Sequence, residues 1–354
     1  MRSILSYLAL ATVVAAFPGP SSAQGFAPPA QGERVTYQNA VDGTILSGML
    51  VVPEGEGPFP GVVLLTLAGA DELVGALNRL GLAVLYPVRR GMGTPEHFLQ
   101  ASFQNLSDDV RAATEYLRSR PEVDGAGIGL IAQAGESMAG VIAAIEPPFP
   151  VFLVLISTTG LPGHESFGIE QRWLARERNY SAQALLGLGE FLAQLTEIVQ
   201  SESSPALRAA RSRALMDRSD VVLPRNTASL PLSVEGQVRF FSSRWWRDHF
   251  LFRPDSVLAQ VRSPVLVLMG EADPLTPYQQ HIPAIRRSLE DAPTDDVTVC
   301  LLPGRTQHSF SQVTLDVIEE WLLNRMSLAA GPRGRGRANS GPPEVCLEAP
   351  AALE

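Results

Sequence analysis

Two cysteines, a shortage of positive charge and, beyond the N-terminus, no apolar run long enough to cross a bilayer set the first limits on this 354-residue chain. With no C-x-x-C and no His/Cys cluster at zinc spacing, no metal site is expected. A net charge of −9 argues against nucleic acid as a partner. The one basic cluster, Arg333-Gly-Arg-Gly-Arg337, lies in a Gly/Pro-rich tail and reads as unstructured rather than as a binding surface. No internal repeat occurs, which leaves out repeat architectures.

What the chain does have is apolar bulk. Apolar residues make up 45% of it, enough for a sizeable core, and its length suits one large domain with an insertion, or two domains. The N-terminus reads as a targeting segment: Arg2 supplies the positive end, Ile4 to Phe17 the apolar run, and Ser21-Ser22-Ala23 a small-residue cleavage site before Gln24. The mature protein is therefore expected to be exported, periplasmic or extracellular, and without a membrane span. Cys300 falls in a late strand and Cys346 in the tail. A disulfide between them and a buried thiol with an idle partner are both compatible with the sequence.

The pattern of apolar runs predicts an α/β protein. Arg34–Ala40 and Ile45–Val52 read as strands joined through an Asp-Gly turn. Gly61–Leu67, Leu82–Tyr86, Ile128 onward, Val151–Ile156, Pro264–Met269 and Val297–Leu302 are continuous apolar runs, the signature of strands buried on both faces. Helices alternate with them: Ala70–Leu80, a helix capped at Asn105, another following the Ile128 strand, and a closing one from Leu315 to Met326. Such alternation means βαβ units and a mostly parallel sheet with helices on both faces. The pattern breaks between about Leu161 and Asp255, where only helical stripes occur, with starts at Ser181 and Ser204-Pro205. The expected layout is a signal segment over 1–23, a linker over 24–33, a core over 34–160 and 256–327, a helical lid inserted at 161–255, and a tail over 328–354.

The stretch that organises the rest is Ile128-Gly-Leu-Ile-Ala-Gln-Ala-Gly-Glu-Ser-Met-Ala-Gly140. A strand running through small residues into an alanine-rich helix has the layout of a nucleophile elbow. This stretch, together with Gly270-Glu-Ala-Asp-Pro274 and Leu302-Pro-Gly-Arg-Thr-Gln-His-Ser-Phe310, resembles the α/β-hydrolase superfamily, in particular bacterial secreted esterase- and serine-peptidase-like members. The resemblance covers about Ile45 to Met326 and implies an α/β-hydrolase fold. It also implies a serine-type acyl hydrolase acting on a small-molecule ester, with no cofactor. Asp273 would be the acid and His308 the base.

The nucleophile departs from the family pattern. Aligned without a gap, the elbow position is Ala134, and Ser137 falls one turn into the helix. If the turn slides by three residues, Ser137 becomes the nucleophile in a Gly-x-Ser-x-Ala setting. The oxyanion donors would come from the Leu67–Ala68 loop and from the N–H of Gly135 or Met138, depending on register. The lid residues Trp245, Trp246 and Phe250 would roof an acyl pocket, or else serve as core packing. Two functions therefore stay open. One is an esterase working through Ser137. The other is an inactive relative that binds an apolar ligand or a protein partner.

Overall fold

The computed structural model describes residues 32–66, 70–92, 95–219, 223, 233–304, 311–330 and 346. The signal segment, most of the linker and nearly all of the tail lie outside the described residues. In chain order the elements are β1 (Glu33–Gln38), β2 (Ile45–Val51), β3 (Phe59–Leu65), α1 (Ala70–Arg79), β4 (Ala83–Val88), α2 (Pro95–Gln100), α3 (Phe103–Arg118), β5 (Val123–Gln133), α4 (Glu136–Ala144) and β6 (Leu153–Ile156). Then come α5 (Gly163–Glu177), α6 (Ala182–Ser201), α7 (Pro205–Asp217), α8 (Val234–Ser242), α9 (Arg244–Leu251), α10 (Pro254–Leu258), β7 (Val265–Gly270), α11 (Tyr278–Glu290), β8 (Val297–Leu302) and α12 (Gln312–Ala330).

The strands form one sheet in the order β1-β2-β4-β3-β5-β6-β7-β8. β1 pairs with β2, and β2 with β4, in the antiparallel sense; every other pairing is parallel. The unbroken apolar strands explain why both faces are covered. Val63, Leu65, Leu130, Ala132 and Leu155 point to the side of α3, α4 and α11, while Val62, Leu64, Ile131, Val154 and Leu268 point to α1 and α12. Successive side chains alternate between faces, so each strand feeds two cores at once. On α12, Val317, Ile318, Trp321 and Leu322 are all buried, as their spacing predicts.

Several boundaries differ from the sequence reading, for local reasons. The helix expected to start at Asn105 starts earlier. Ser102 is its N-cap and accepts from the Asn105 N–H at 3.0 Å, while the Asn105 side chain reaches back to the Ser102 N–H at 3.0 Å. Asn105 is thus the third residue of a reciprocal capping box, not the cap. Ser181 and Ser204 do cap α6 and α7, with Pro205 at the first helical position.

Helices α5 to α9 lie between β6 and β7 and build a hydrophobic core of their own around Phe167, Leu188, Leu195, Phe241, Trp246 and Phe250. The two crossings between sheet and insertion are tied together, Gly163 N–H donating to Phe252 O at 3.1 Å. Cys300 on β8 and Cys346 form a disulfide with Cα atoms 4.9 Å apart, buried among the α1 and α12 contacts. No helix among the described residues is long and apolar enough to cross a membrane.

Candidate site at the strand-to-helix elbow

β5 ends at Gln133, and the chain turns into α4 through Ala134 at φ +49°. A residue with a Cβ in that left-handed region costs about 1–2 kcal/mol, so the surroundings must hold it there. They do: Ala134 N–H donates to Ile156 O on β6 at 2.8 Å, and Ala134 O accepts from Ser137 N–H at 3.0 Å. The turn needs close packing of α4 on β5. A Cβ on Gly140 would sit 2.9 Å from the Ala132 Cβ, so glycine is required there. Gly135 follows the turn with open space around its Cα. The residue in the turn between β5 and α4 is therefore Ala134.

Ser137 is corrected accordingly. It is fully buried in the first turn of α4, and its Oγ donates to Ala132 O at 3.2 Å. It plugs the seam between helix and strand and presents nothing to the cleft. Met138, the oxyanion donor in the sliding register, is buried in the core on the α3 side. Gly135 keeps the place of the donor next to the elbow. Leu67 and Ala68 lie outside the described residues.

Around the elbow stands polar scaffolding that sequence reasoning missed. Thr66, at the end of β3, hydrogen-bonds through Oγ1 to the side chain of Gln133, and Tyr86 Oη donates to Thr66 O at 2.9 Å. Burial first, then the charge of Glu136, pushes the Tyr86 phenol up to about 12; Arg89 opposes this and Asp71 adds to it. Glu136 opens α4 and pairs with Arg89 at 2.9 Å. Arg89 in turn lies over the Phe98 ring at 4.1 Å, and Phe98 packs on Trp245 of the insertion at 4.9 Å. A continuous stack thus runs from the elbow helix to α9. The cleft bounded by Thr66, Tyr86, Arg89 and Glu136 holds about 40 Å³, room for a few waters. In the neighbouring turn Arg90 donates to Asp109 and Asp42, which raise its affinity for its proton.

Asp273 is where the sequence placed it, in the loop after β7, and is buried. Its Oδ1 accepts from the N–H groups of Leu275 and Thr276 at 3.0 and 3.2 Å, and its Oδ2 accepts from Thr276 Oγ1 at 2.6 Å. Both oxygens hold their own turn. His308 lies outside the described residues. The imidazole whose titration feels Asp273 is His281 on α11, which the sequence reading did not single out.

For Trp246 and Phe250 the structure shows the core-packing alternative. They are buried in the insertion's own core, Trp246 meeting Phe167 and Phe240 at 4.8 Å each and Phe250 at 5.3 Å. Trp245 faces the sheet domain, stacked on His249 at 5.2 Å. The chain contains no lysine, so an amine nucleophile or Schiff base is out of reach.

An eight-stranded, mostly parallel sheet, a left-handed residue at the end of β5 and a helical insertion after β6 define the α/β-hydrolase fold, and that is the fold of this chain. The solved structures it superposes on belong to that superfamily. DcsB, solved in complex with a substrate analogue, aligns at TM-score 0.56 and 15% identity over 85% of this chain and 100% of its own. The α/β hydrolase GrgF from Penicillium sp. sh18 aligns at 0.55 and 14% over 83% and 96%. A 2,6-dihydroxy-pseudo-oxynicotine hydrolase aligns at 0.54 and 14% over 84% and 69%. At these identities the likeness concerns the fold. No family model matches the sequence, and no curated protein does.

Proposed function

We propose that this is an exported protein of α/β-hydrolase fold that binds a small-molecule ester- or acyl-type ligand and does not turn it over through a seryl intermediate. The observation that carries the reading is Ala134 at φ +49°, at the one position where the turn exposes a side chain above the sheet. A methyl group cannot attack a carbonyl. The nearest serine in sequence, Ser137, spends its hydroxyl inside α4. Glu136 adds a second obstacle. Its carboxylate, paired with Arg89, sets a negative charge in the first turn of α4, close to where an oxyanion would be held.

Export is supported by the N-terminal Arg2 to Ala23 segment and by the Cys300–Cys346 disulfide, which suits an oxidising compartment. The described cleft beside Glu136 holds about 40 Å³, less than an acyl chain needs, and Arg89 on its wall lies against the Phe98–Trp245 pair. The test is turnover of short-chain p-nitrophenyl esters alongside their binding. The wild type is expected to bind a non-hydrolysable acyl analogue and to show no ester cleavage above a His308→Ala control. Saturable turnover in the wild type that His308→Ala removes would contradict the reading.

A further inference from the structure

His281 is fully buried, and its ring touches the first crossing between the sheet domain and the helical insertion. Gly160 N–H points at His281 Nδ1 at 3.1 Å, and Thr159 Oγ1 lies 3.3 Å from the same nitrogen. A backbone N–H can only donate, so Nδ1 is the unprotonated nitrogen and Nε2 carries the hydrogen. Nε2 is buried and finds no hydrogen-bond partner among the described residues. The crossing is pressed close against α11: a Cβ on Gly160 would sit 2.6 Å from His281 O and 2.9 Å from Ile285 N. Thr159 Oγ1 donates to Leu161 O at 3.1 Å and meets Ser166 Oγ at 2.8 Å, which ties the residue next to Gly160 to the start of α5.

We propose that His281 is an acid-sensitive latch on the insertion: singly protonated, it accepts from Gly160 and holds the crossing on α11; doubly protonated, it sets one N–H against another and releases it. A second proton can go only to Nδ1, and Gly160 has no other donor geometry to offer. Burial holds the imidazole pKa down at about 4, and Asp273 partly offsets that. The other charged groups on the elements around the ring are Glu271 on the loop after β7, His164, Glu165, Glu170, Arg172, Arg176 and Glu177 on α5, Asp255 on α10, and Arg286, Arg287 and Glu290 on α11 itself. None of them contributes to the shift. The latch rests on the hinge geometry and is independent of what the cleft binds.

Hydrogen-exchange mass spectrometry of the folded full chain, from pH 6.5 to 3.5, tests it. Protection of the 158–168 segment, corrected for intrinsic rate and compared with β5 and β7, should fall at least tenfold with a midpoint near pH 4. In His281→Asn, which keeps an acceptor and cannot take a proton, that step should vanish while protection at pH 6.5 is kept. The same step in His281→Asn, or none in the wild type, overturns the latch. Should the variant fail to fold, imidazole nitrogen shifts of the ¹⁵N-labelled wild type at neutral pH decide: hydrogen on Nε2 supports it, and hydrogen on Nδ1 overturns it.

Discussion

The methyl group of Ala134 holds a left-handed backbone that glycine would adopt without strain, and the turn tolerates it because Ile156 O and Ser137 N–H pin both sides of the peptide. Relief of that strain, less the greater entropy that glycine loses on folding, leaves a small net gain. Ala134→Gly should therefore raise the thermal midpoint by about a degree or two, as scanning calorimetry would read. Ser137→Ala removes a buried donor to Ala132 O and should lower stability by about 1 kcal/mol in chemical denaturation. Wild-type labelling by a serine-hydrolase probe that Ser137→Ala abolishes would return Ser137 to the chemistry.

Two imidazoles, the buried His281 and the half-buried His249, set the pH response. Burial lowers His249 and His281 from 6.5 to about 4. Each stays neutral when folded while the unfolded chain takes up a proton. Their contribution is complete above pH 6.5 and is lost as pH falls from 6.5 towards 4. The thermal midpoint should drop across that window, and His281→Asn should flatten part of the drop.

At the scale of elements, the insertion divides between residues that make its core and those on or just after α9, such as Trp245, Asp248, His249 and Phe252, that meet α2 and α3. Trp246→Ala should cost about 3–5 kcal/mol of insertion stability, because the ring is packed by Phe167, Phe240, Phe241 and Phe250. Trp245→Ala cuts the stack through Phe98 and Arg89 to Glu136 instead. It should cost less in urea melts while speeding ligand entry in stopped-flow binding. The sequence made the strands legible because β3 to β8 are apolar on both faces, and it showed Ser181 and Ser204-Pro205 as helix starts. It showed the α4 turn only as two registers, since both spell small residues around a serine. Packing decides between them: Gly140 must lie against Ala132, which places the turn at Ala134. Contacts between distant segments left no local pattern. Arg89 and Glu136 are 47 residues apart, and His281 and Gly160 are 121 apart. Trp245 and Trp246 are adjacent, and only the direction in which α9 faces separates their roles.

For the whole molecule, the disulfide joins the far tail to the last strand across 46 residues. Cys346→Ser should lower stability by roughly 2–4 kcal/mol, and the same loss should follow reduction of the wild type. The fold places a strand-to-helix turn at the carboxyl end of β5, with Ala134 in the turn and Asp273 buried in the loop after β7. Labelling of the mature protein with a fluorophosphonate serine-hydrolase probe, with the modified peptide mapped by mass spectrometry, addresses that arrangement most directly. The account predicts no label on the wild type, and label at position 134 in Ala134→Ser. Label on Ser137 of the wild type, abolished by His308→Ala, would contradict it.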